Sequence, residues 1–430
     1  MPLRALFVDF NSYFASVEQQ AETRLRNRPV AVVPLITDST CCIAASYEAR
    51  QFGIKTGTRV GEAKRMCREL QIVQARPQVY VEFHHRLVAA VDSCVPVKAI
   101  LSIDEMTCEL TGSMMRREVN VSIAQQIKKT IARKVGVHLT CSIGIAPNSF
   151  LAKTATELQK RNGLIVIESS ELPDRLYALK LRDLCGVGAR MERRLYLQGI
   201  VSVPQLCMAS REKLHRVWGS VEGERFYDNL RGDIVSRPLT KRSSLGHSHV
   251  LSPEQRTPSG ARSTLCRLLQ KAAARLREME YSAGEISVFI KFVMRESWHE
   301  KARFSHTDDP RALMQILLDL WQKREPEYSA PLAVGITLCN LRPRHQCTLS
   351  LFDVDQSQHH LNGCVDDLNA HFGRMTIYLG GAHESLGSAR SIHSPIAFQH
   401  IPEAFVEAPL SRHVKDLPSP PTPLPILGEG

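Results

Sequence analysis

The chain has 430 residues, 43% hydrophobic and 23% charged, enough apolar material to fill the cores of about two to four domains. Lys and Arg outnumber Asp and Glu by 11, a balance that favours contact with a polyanion such as nucleic acid. There is no apolar run of 18 residues, no basic leader before an apolar stretch and no C-x-x-C pair, which argues against a membrane span, a secretory signal and a zinc site.

The first part of the chain alternates predicted strands with predicted helices, as is typical of an α/β domain. Short apolar runs predict strands at residues 4–9, 30–35, 42–45, 99–103 and 139–145. A strand-to-helix turn is predicted at residues 11–18, and apolar residues at helical spacing predict helices at 121–135 and 149–160.

The pattern changes from about residue 172, where short helices with Gly-rich turns are predicted. Residues 232–244 are polar and basic, as in a linker. Helices at 260–279 and 310–324 then alternate with strands at 285–293 and 332–341, which predicts a small separate α/β domain.

Acidic residues stand at the ends of two predicted strands. Asp9 closes the first, and Asp104 and Glu105 follow the strand at 99–103. If these strands are neighbours, the three carboxylates lie together, and such a cluster persists only when cations neutralise it. Hard oxygen ligands favour Mg²⁺, and two such ions can activate an attacking hydroxyl and stabilise a pyrophosphate leaving group. The alternative is that these acids are separate caps or surface charges.

Four segments in this order resemble the Y-family of DNA polymerases, the translesion enzymes that include the polymerase IV and polymerase V groups. They are DFNSYFASVE (residues 9–18), SYEAR (46–50), SIDE (102–105) and SIGIAPNSFLAKTATELQKRNGL (142–164). The resemblance runs from about residue 4 to about residue 400. It implies template-directed addition of deoxynucleotides to a primer, with low fidelity and without proofreading.

The resemblance implies an α/β multidomain fold, the right-hand polymerase. Its parts are a palm (residues 1–26 and 79–168), small fingers (27–78), a helical thumb with a helix-hairpin-helix (169–231), a linker (232–243), an α/β little finger (244–349) and a C-terminal extension with a disordered Pro-rich end (350–430).

For the metals, the resemblance implies that Asp9, Asp104 and Glu105 are the catalytic ligands. The backbone carbonyl of Phe10 is expected to join them. Two Mg²⁺ ions are expected, with Mn²⁺ as a substitute.

For the nucleotide, the resemblance implies a steric gate at Phe14, the aromatic residue five positions after Asp9, beside Tyr13. A ring under the sugar leaves no room for a 2′-hydroxyl. Tyr47, Arg50 and Lys160 match residues that contact the triphosphate. Lys153, seven residues before Lys160 on the same predicted helix, is expected to face the same side.

The chain departs from the family pattern at four positions. Ala44 stands where many members have Thr near the triphosphate, and Ser149 where Lys is common. Arg161 replaces the usual Pro after Lys160, and these three changes are expected to weaken nucleotide affinity without removing a metal ligand. Thr348 replaces the leading Gln of a clamp-binding pentapeptide, QLSLF, so that this chain has TLSLF.

For DNA, the Gly-rich turn at residues 185–188 matches the hairpin of the helix-hairpin-helix. Glycine lets the backbone approach a phosphate closely, and the expected DNA contacts are Gly186, Gly188, Arg190, Lys241 and Arg242. The expected clamp contacts are Leu349, Leu351 and Phe352.

The expected partners are primer–template DNA, a dNTP and a sliding clamp, with an accessory subunit if the chain is polymerase V-like and no membrane. Scattered cysteines fit a reducing bacterial cytoplasm, and induction by DNA damage is a family expectation. The alternatives are a non-catalytic DNA- and clamp-binding scaffold of the same family, a nucleotide cyclase and a plain basic DNA-binding protein. The three acids count against the scaffold, and the missing GGDEF-like segment counts against the cyclase.

Overall fold

The computed structural model describes residues 1–236, 242–294, 297–324, 329–347, 354–373 and 375–389. These residues divide into two units, 1–236 and 242–389, and the boundary falls within the predicted linker. The predictions on Lys241, on the pentapeptide with Leu349, Leu351 and Phe352, and on the Pro-rich end lie outside the described residues.

The first unit contains two sheets and ten helices in its described residues. Its strands are β1 (Ala5–Phe10), β2 (Val30–Val33), β3 (Ala44–Ala45), β4 (Gln71–Gln74), β5 (Val97–Ile100), β6 (Glu105–Glu109), β7 (Cys141–Ala146) and β8 (Leu164–Val166). Its helices are α1 (Tyr13–Ala21), α2 (Tyr47–Arg50), α3 (Val60–Met66), α4 (Pro77–Asp92), α5 (Arg117–Lys134), α6 (Ser149–Leu158), α7 (Ala189–Leu197), α8 (Val203–Met208), α9 (Arg211–Trp218) and α10 (Glu222–Leu230).

The larger sheet has the strand order β5-β6-β1-β7-β8, with β1 antiparallel to both of its neighbours. Because side chains alternate along a strand, β1 serves two cores. Leu6 and Val8 pack in the core that includes α4 and α5, whereas Ala5 and Phe7 pack in the core that includes α6 and α7–α10. Asp9 continues the second series, so its side chain leaves β1 on the face that α6 covers.

The predicted strand at 99–103 is wrong at its end, because β5 stops at Ile100 and Glu105 begins β6. The chain reverses between them, and the amide of Leu101 donates to the carbonyl of Glu105 at 2.9 Å. Asp104 therefore lies in a hairpin turn and Glu105 begins the next strand, whereas both were predicted to follow directly on the strand at 99–103. Since β1 and β6 are antiparallel, the end of β1 still lies beside the start of β6.

The smaller sheet has the order β3-β2-β4, with β2 parallel to β4. Its own core contains Val33, Ala49, Ile54 and Val60, and α2 and α3 pack over it. Strand β4 was not predicted from the sequence, because its segment QIVQ has only two apolar residues between polar ends. These elements lie in the part of the chain that resembles the fingers.

The second unit is an antiparallel sheet with helices. Its elements are β9 (Ser244–Val250), α11 (Pro258–Glu278), β10 (Tyr281–Phe292), β11 (Ser297–Thr307), α12 (Pro310–Gln322), β12 (Pro331–Cys339), β13 (Arg342–Pro343), α13 (Val354–Phe372) and α14 (His383–Ala389). The strand order is β11-β10-β12-β9. Strands β9 and β11 were not predicted, because their apolar residues alternate with Ser, His and charged residues instead of forming runs. No helix in the described part of the chain is long and apolar enough to cross a bilayer.

Candidate active site

The three predicted metal-binding acids meet at one corner of the larger sheet. Asp9 is the direct cross-strand partner of Glu105 in the β1–β6 register. Asp104 precedes Glu105 in the turn, where its backbone carbonyl accepts from the amide of Phe10 at 2.9 Å. The hydroxyl of Ser102 donates to Asp104 Oδ1 at 2.6 Å, which orients that carboxylate.

Two lysines neutralise this corner. Lys153 Nζ lies 2.8 and 2.7 Å from the two carboxylate oxygens of Glu105. Lys160 Nζ lies 2.9 Å from Asp9 Oδ2 and 2.8 Å from Glu157 Oε1. Burial lowers the pKa of each lysine, but its acidic partners outweigh burial and leave the pKa raised. The expectation that Lys153 and Lys160 face the same side agrees with these contacts, although α6 ends at Leu158, before Lys160.

Burial dominates the protonation of the acids. It raises the pKa of Asp9 to about 6, against the opposing attraction of Lys160, and Glu105 adds to the rise. Burial likewise raises the pKa of Asp104, against the hydrogen bond from Ser102. A carboxylate held away from water and beside another acid gains from any nearby cation.

The donor set at this corner suits a hard divalent cation, since it consists of carboxylate oxygens. In the described residues no three ligating side chains already surround one point as a preformed metal site. Instead the carboxylates of Asp9 and Glu105 are turned to lysine ammonium groups. The two lysines thus neutralise these acids without a metal, and a bound cation would take their place on the same carboxylates.

Asn11, which was not singled out from the sequence, ties the corner together. It is 2% exposed, and its Oδ1 accepts from the amide of Asn162 at 2.7 Å. Its amide Nδ2 donates to Ser142 Oγ at 3.1 Å. Asn11 therefore fixes the loop that carries Lys160 against the end of β1. Its position within the segment DFNSYFASVE was the feature of the sequence from which a role for Asn11 could have been predicted.

Phe14 and Tyr13 face different surroundings in the first turn of α1. Phe14 is half-buried and its ring stacks on Tyr80, with 4.6 Å between the centroids. Tyr13 is 3% exposed, and its hydroxyl donates to the carbonyl of Tyr80 at 2.6 Å. The Tyr13 side chain thus lies in the core, so the predicted nucleotide contact is not open to its hydroxyl. Adjacent helical residues cannot share a face, and here Phe14 takes the exposed one.

A buried ion pair supports the ring beneath Phe14. Glu18 has no exposed side-chain surface; it accepts from the hydroxyl of Tyr80 at 2.7 Å and from Arg76 Nε at 3.1 Å. We expect Glu18→Ala to lower the free energy of unfolding by about 2 kcal/mol, because it leaves the buried hydroxyl of Tyr80 without its acceptor and leaves Arg76 with only Glu22, at 3.4 Å. Urea denaturation followed by circular dichroism measures this change.

The control for this prediction is Glu82→Ala. The Glu82 side chain is 67% exposed and lies 3.8 Å from Arg86, so its loss is expected to change the free energy of unfolding by less than about 0.5 kcal/mol. Equal losses in the two variants would contradict the assignment of Glu18 as a buried anchor.

The residues predicted to contact a triphosphate lie near one another. Tyr47 begins α2, whose N-cap Ser46 accepts from the amide of Ala49. The Arg50 guanidinium lies 5.3 Å from the centre of the Tyr47 ring. Burial raises the pKa of Tyr47, while the charges of Arg50 and Lys160 oppose the rise, so both cations act on the Tyr47 hydroxyl. Tyr47 therefore lies beside Arg50 and within electrostatic range of Lys160, and Lys160 is paired with Asp9 at the acidic corner.

The predicted DNA contacts lie on exposed surface. Gly186 has a φ of 86°, which favours glycine, and Gly188 is the N-cap of α7. A Cβ at either position would meet nothing within 4 Å, so packing does not explain these glycines. Arg190 is exposed in the first unit, and Arg242 is exposed in the second.

Comparison with known proteins identifies the family in two segments and along most of the chain. The impB/mucB/samB family matches residues 8–157, and the C-terminal domain of that family matches residues 242–351. A DNA polymerase IV of Moorella thermoacetica is 30% identical over 381 residues, which cover 87% of this chain and 94% of that relative.

Solved structures show the same fold. A Y-family DNA polymerase chimera of Dbh and Dpo4 aligns with a TM-score of 0.65 at 24% identity, over 78% of this chain and 98% of that one. An insertion ternary complex of Dbh DNA polymerase aligns with a TM-score of 0.52 at 23% identity, with the same coverage. The likeness to solved structures, together with the family matches and the polymerase IV relative, places this chain in the Y-family of DNA polymerases.

Proposed function

We propose that this chain extends a primer 3′ end with deoxynucleotides on a DNA template, at low fidelity and past damaged bases. The observation that carries the proposal is the pairing of Asp9 with Glu105, with Asp104 in the adjoining turn, in a member of the Y-family. The non-catalytic scaffold is disfavoured, because such a protein has no use for three acids at one buried corner.

Asp9, Asp104 and Glu105 would hold two Mg²⁺ ions, for which Mn²⁺ can substitute, together with the carbonyl of Phe10. When bound, the two ions activate the primer 3′-hydroxyl and stabilise the pyrophosphate leaving group. Without a metal, Lys153 and Lys160 neutralise the carboxylates of Glu105 and Asp9 through ion pairs. Lys160 then turns from Asp9 toward the triphosphate.

The nucleotide would lie between α1 and α2. Tyr47 and Arg50 donate hydrogen bonds to its phosphate oxygens, and an Arg can do so with two parallel bonds. Phe14 lies under the sugar, where its ring, backed by Tyr80, excludes a 2′-hydroxyl. Selectivity for the sugar therefore comes from shape rather than from a hydrogen bond.

DNA would contact both units. The open Gly-rich turn at Gly186 and Gly188 offers backbone amides to a phosphate, with Arg190 alongside. Arg242 and Lys241 add positive charge from the segment that joins the units. The Dbh DNA polymerase with the same fold was solved as an insertion ternary complex, which supports binding of DNA and nucleotide by this chain. A relative named DNA polymerase IV supports a polymerase IV-like rather than a polymerase V-like chain.

The proposal is tested by primer extension with Mg²⁺ and the purified chain alone, on an undamaged template and on one with an abasic site. Short, distributive products that cross the lesion are expected. Tight binding to primer–template DNA without any extension would favour the scaffold, or an enzyme that depends on an accessory subunit.

Replacing Leu351 and Phe352 with Ala is expected to leave basal extension unchanged and to remove stimulation by a sliding clamp. The two apolar side chains would enter a hydrophobic cleft of the clamp, even though Thr348 lacks the hydrogen bonds of Gln. The measurement compares product length with and without clamp and clamp loader. Stimulation that survives the double substitution would place the clamp contact elsewhere.

A further inference from the structure

The loop after Lys160 has a backbone that the family's usual residue cannot adopt. Arg161 has a φ of 68° and Asn162 a φ of 60°. Proline is confined to a φ near about −65°, so the Pro that commonly follows this lysine does not fit here. The loop is held by Asn11, and by Lys128 Nζ, which donates to the carbonyl of Gly163 at 2.8 Å. Arg161 therefore stands in a loop that hydrogen bonds hold in a conformation that Pro could not adopt.

That structure directs Arg161 to the predicted triphosphate residues. Its guanidinium lies 5.0 Å from the centre of the Tyr47 ring, while that of Arg50 lies 5.3 Å from the same centre. The Arg161 side chain is 56% exposed. Its nearest acid is Glu48 at 3.8 Å, a carboxylate that also accepts from Gln19 at 3.0 Å. Arg161 is therefore loosely paired and open to a ligand.

Two guanidinium groups lie beside the Tyr47 ring, and the charge of Lys160 also reaches its hydroxyl. The positive charges of Arg50, Lys160 and Arg161 all act on the Tyr47 hydroxyl. Within the described residues Arg50 has no acidic partner, and its Nε donates to the carbonyl of Ala45 at 3.3 Å. Like charges repel, so such a grouping is stabilised by a ligand that carries several negative charges. A nucleoside triphosphate is such a ligand.

At a second position this chain lacks a hydrogen-bond donor that the family pattern has. Ala44, in β3, stands where many family members have Thr, and its methyl group cannot donate a hydrogen bond. Compared with the family pattern, this chain therefore lacks a hydroxyl donor at Ala44 and has an additional guanidinium at Arg161.

We propose that Arg161 is a third cationic ligand of the nucleotide triphosphate, which binds its terminal phosphates beside Tyr47 and offsets the missing donor at Ala44. The inference rests on the proposed polymerase function. It reverses the expectation that the change from Pro to Arg weakens nucleotide affinity.

The first test is Arg161→Gln in single-nucleotide insertion. Arg and Gln have similar conformational free energies at positive φ. Arg161→Gln is therefore expected to retain the loop conformation while removing the positive charge. Because Gln cannot form the charge-assisted hydrogen bond that Arg forms, KM for the dNTP is expected to rise about 10-fold. The value of kcat is expected to stay within about 2-fold of the wild-type value. Arg161→Lys is expected to recover part of the loss, because it restores the charge but not the paired donors. The Kd for primer–template DNA should not change.

The matched control is Arg65→Gln, which removes one positive charge from an exposed residue of α3. If Arg65→Gln raises KM as much as Arg161→Gln does, the effect is general electrostatics and the inference fails. Unchanged KM in Arg161→Gln, with a wild-type chain that extends primers, also overturns it. A wild-type chain that does not extend primers refutes the proposed function instead.

A second measurement needs no catalysis. Isothermal titration of inorganic tripolyphosphate without metal is expected to show weaker binding to Arg161→Gln than to the wild type. Ala44→Thr on the Arg161→Gln background is expected to recover part of the dNTP affinity, because it returns a hydroxyl donor. Equal tripolyphosphate affinity in wild type and Arg161→Gln would contradict a phosphate contact by Arg161, even where the enzyme is inactive.

Discussion

Primer extension by the Asp104→Ala variant is expected to fall by on the order of 10³-fold, because charge stabilisation at the reacting phosphate is the largest catalytic contribution of such a site. The carboxylate of Asp104 is held by Ser102 at 2.6 Å and is oriented before any metal arrives. Its backbone carbonyl, which accepts from the amide of Phe10, is kept in the variant. The turn should therefore survive, and the loss should be one of chemistry.

The control for this prediction lies on β6, the strand that follows Asp104. Glu109→Ala removes a carboxylate at the far end of β6, where Glu109 is 52% exposed and pairs with Lys98 at 2.9 Å. Its extension rate is expected to stay within about 2-fold of wild type, as for a surface ion pair. Titration with Mn²⁺, followed by electron paramagnetic resonance, should show a bound ion lost in Asp104→Ala and kept in Glu109→Ala. Near-normal extension by Asp104→Ala would remove this residue from the metal site.

The acidic corner shows which features can be predicted from sequence and which cannot. A buried apolar run followed by an acid predicts a strand that ends in Asp9, and the structure has this strand, which continues one residue further to Phe10. The same reasoning extended β5 too far, because AILSI looks like one strand although its last residues form a turn. The pairing of Asp9 with Glu105 depends on which strands are neighbours, which is a tertiary property that periodicity does not encode.

The lysines and the loop show a second limit. A lysine in a motif can be recognised from its spacing, but its partner cannot: Lys153 binds Glu105, whereas Lys160 binds Asp9. Arg161 was visible only as a departure from the family pattern. Arg161 has a positive φ, and the next residue, Asn162, is held by hydrogen bonds to Asn11 and Lys128. Asn11 follows β1 and Lys128 lies in α5, so these contacts join segments that are far apart in the sequence.

Phe14→Ala is expected to reduce discrimination against ribonucleotides by about 100-fold, which is the selectivity that shape alone provides when one small group must be excluded. The Phe14 ring is fixed from behind by Tyr80, at 4.6 Å, and Tyr80 in turn is fixed by Glu18. A ring so supported cannot move aside for a 2′-hydroxyl, whereas the methyl group of Ala leaves that space empty. The measurement is the ratio of kcat/KM for a dNTP to that for the matching rNTP.

The contribution of Phe14 is separated from a general loss of packing by two comparisons. Deoxynucleotide insertion by Phe14→Ala should remain within about 10-fold of wild type, because the acids and the phosphate contacts are untouched. Phe52→Ala removes a ring that is 50% exposed in the same unit, and should leave the ratio unchanged. If Phe14→Ala keeps the wild-type ratio while Glu18→Ala lowers it, the sugar is sensed by Tyr80 rather than by Phe14. If neither variant changes the ratio, the wall that excludes a ribose is not on this face of α1.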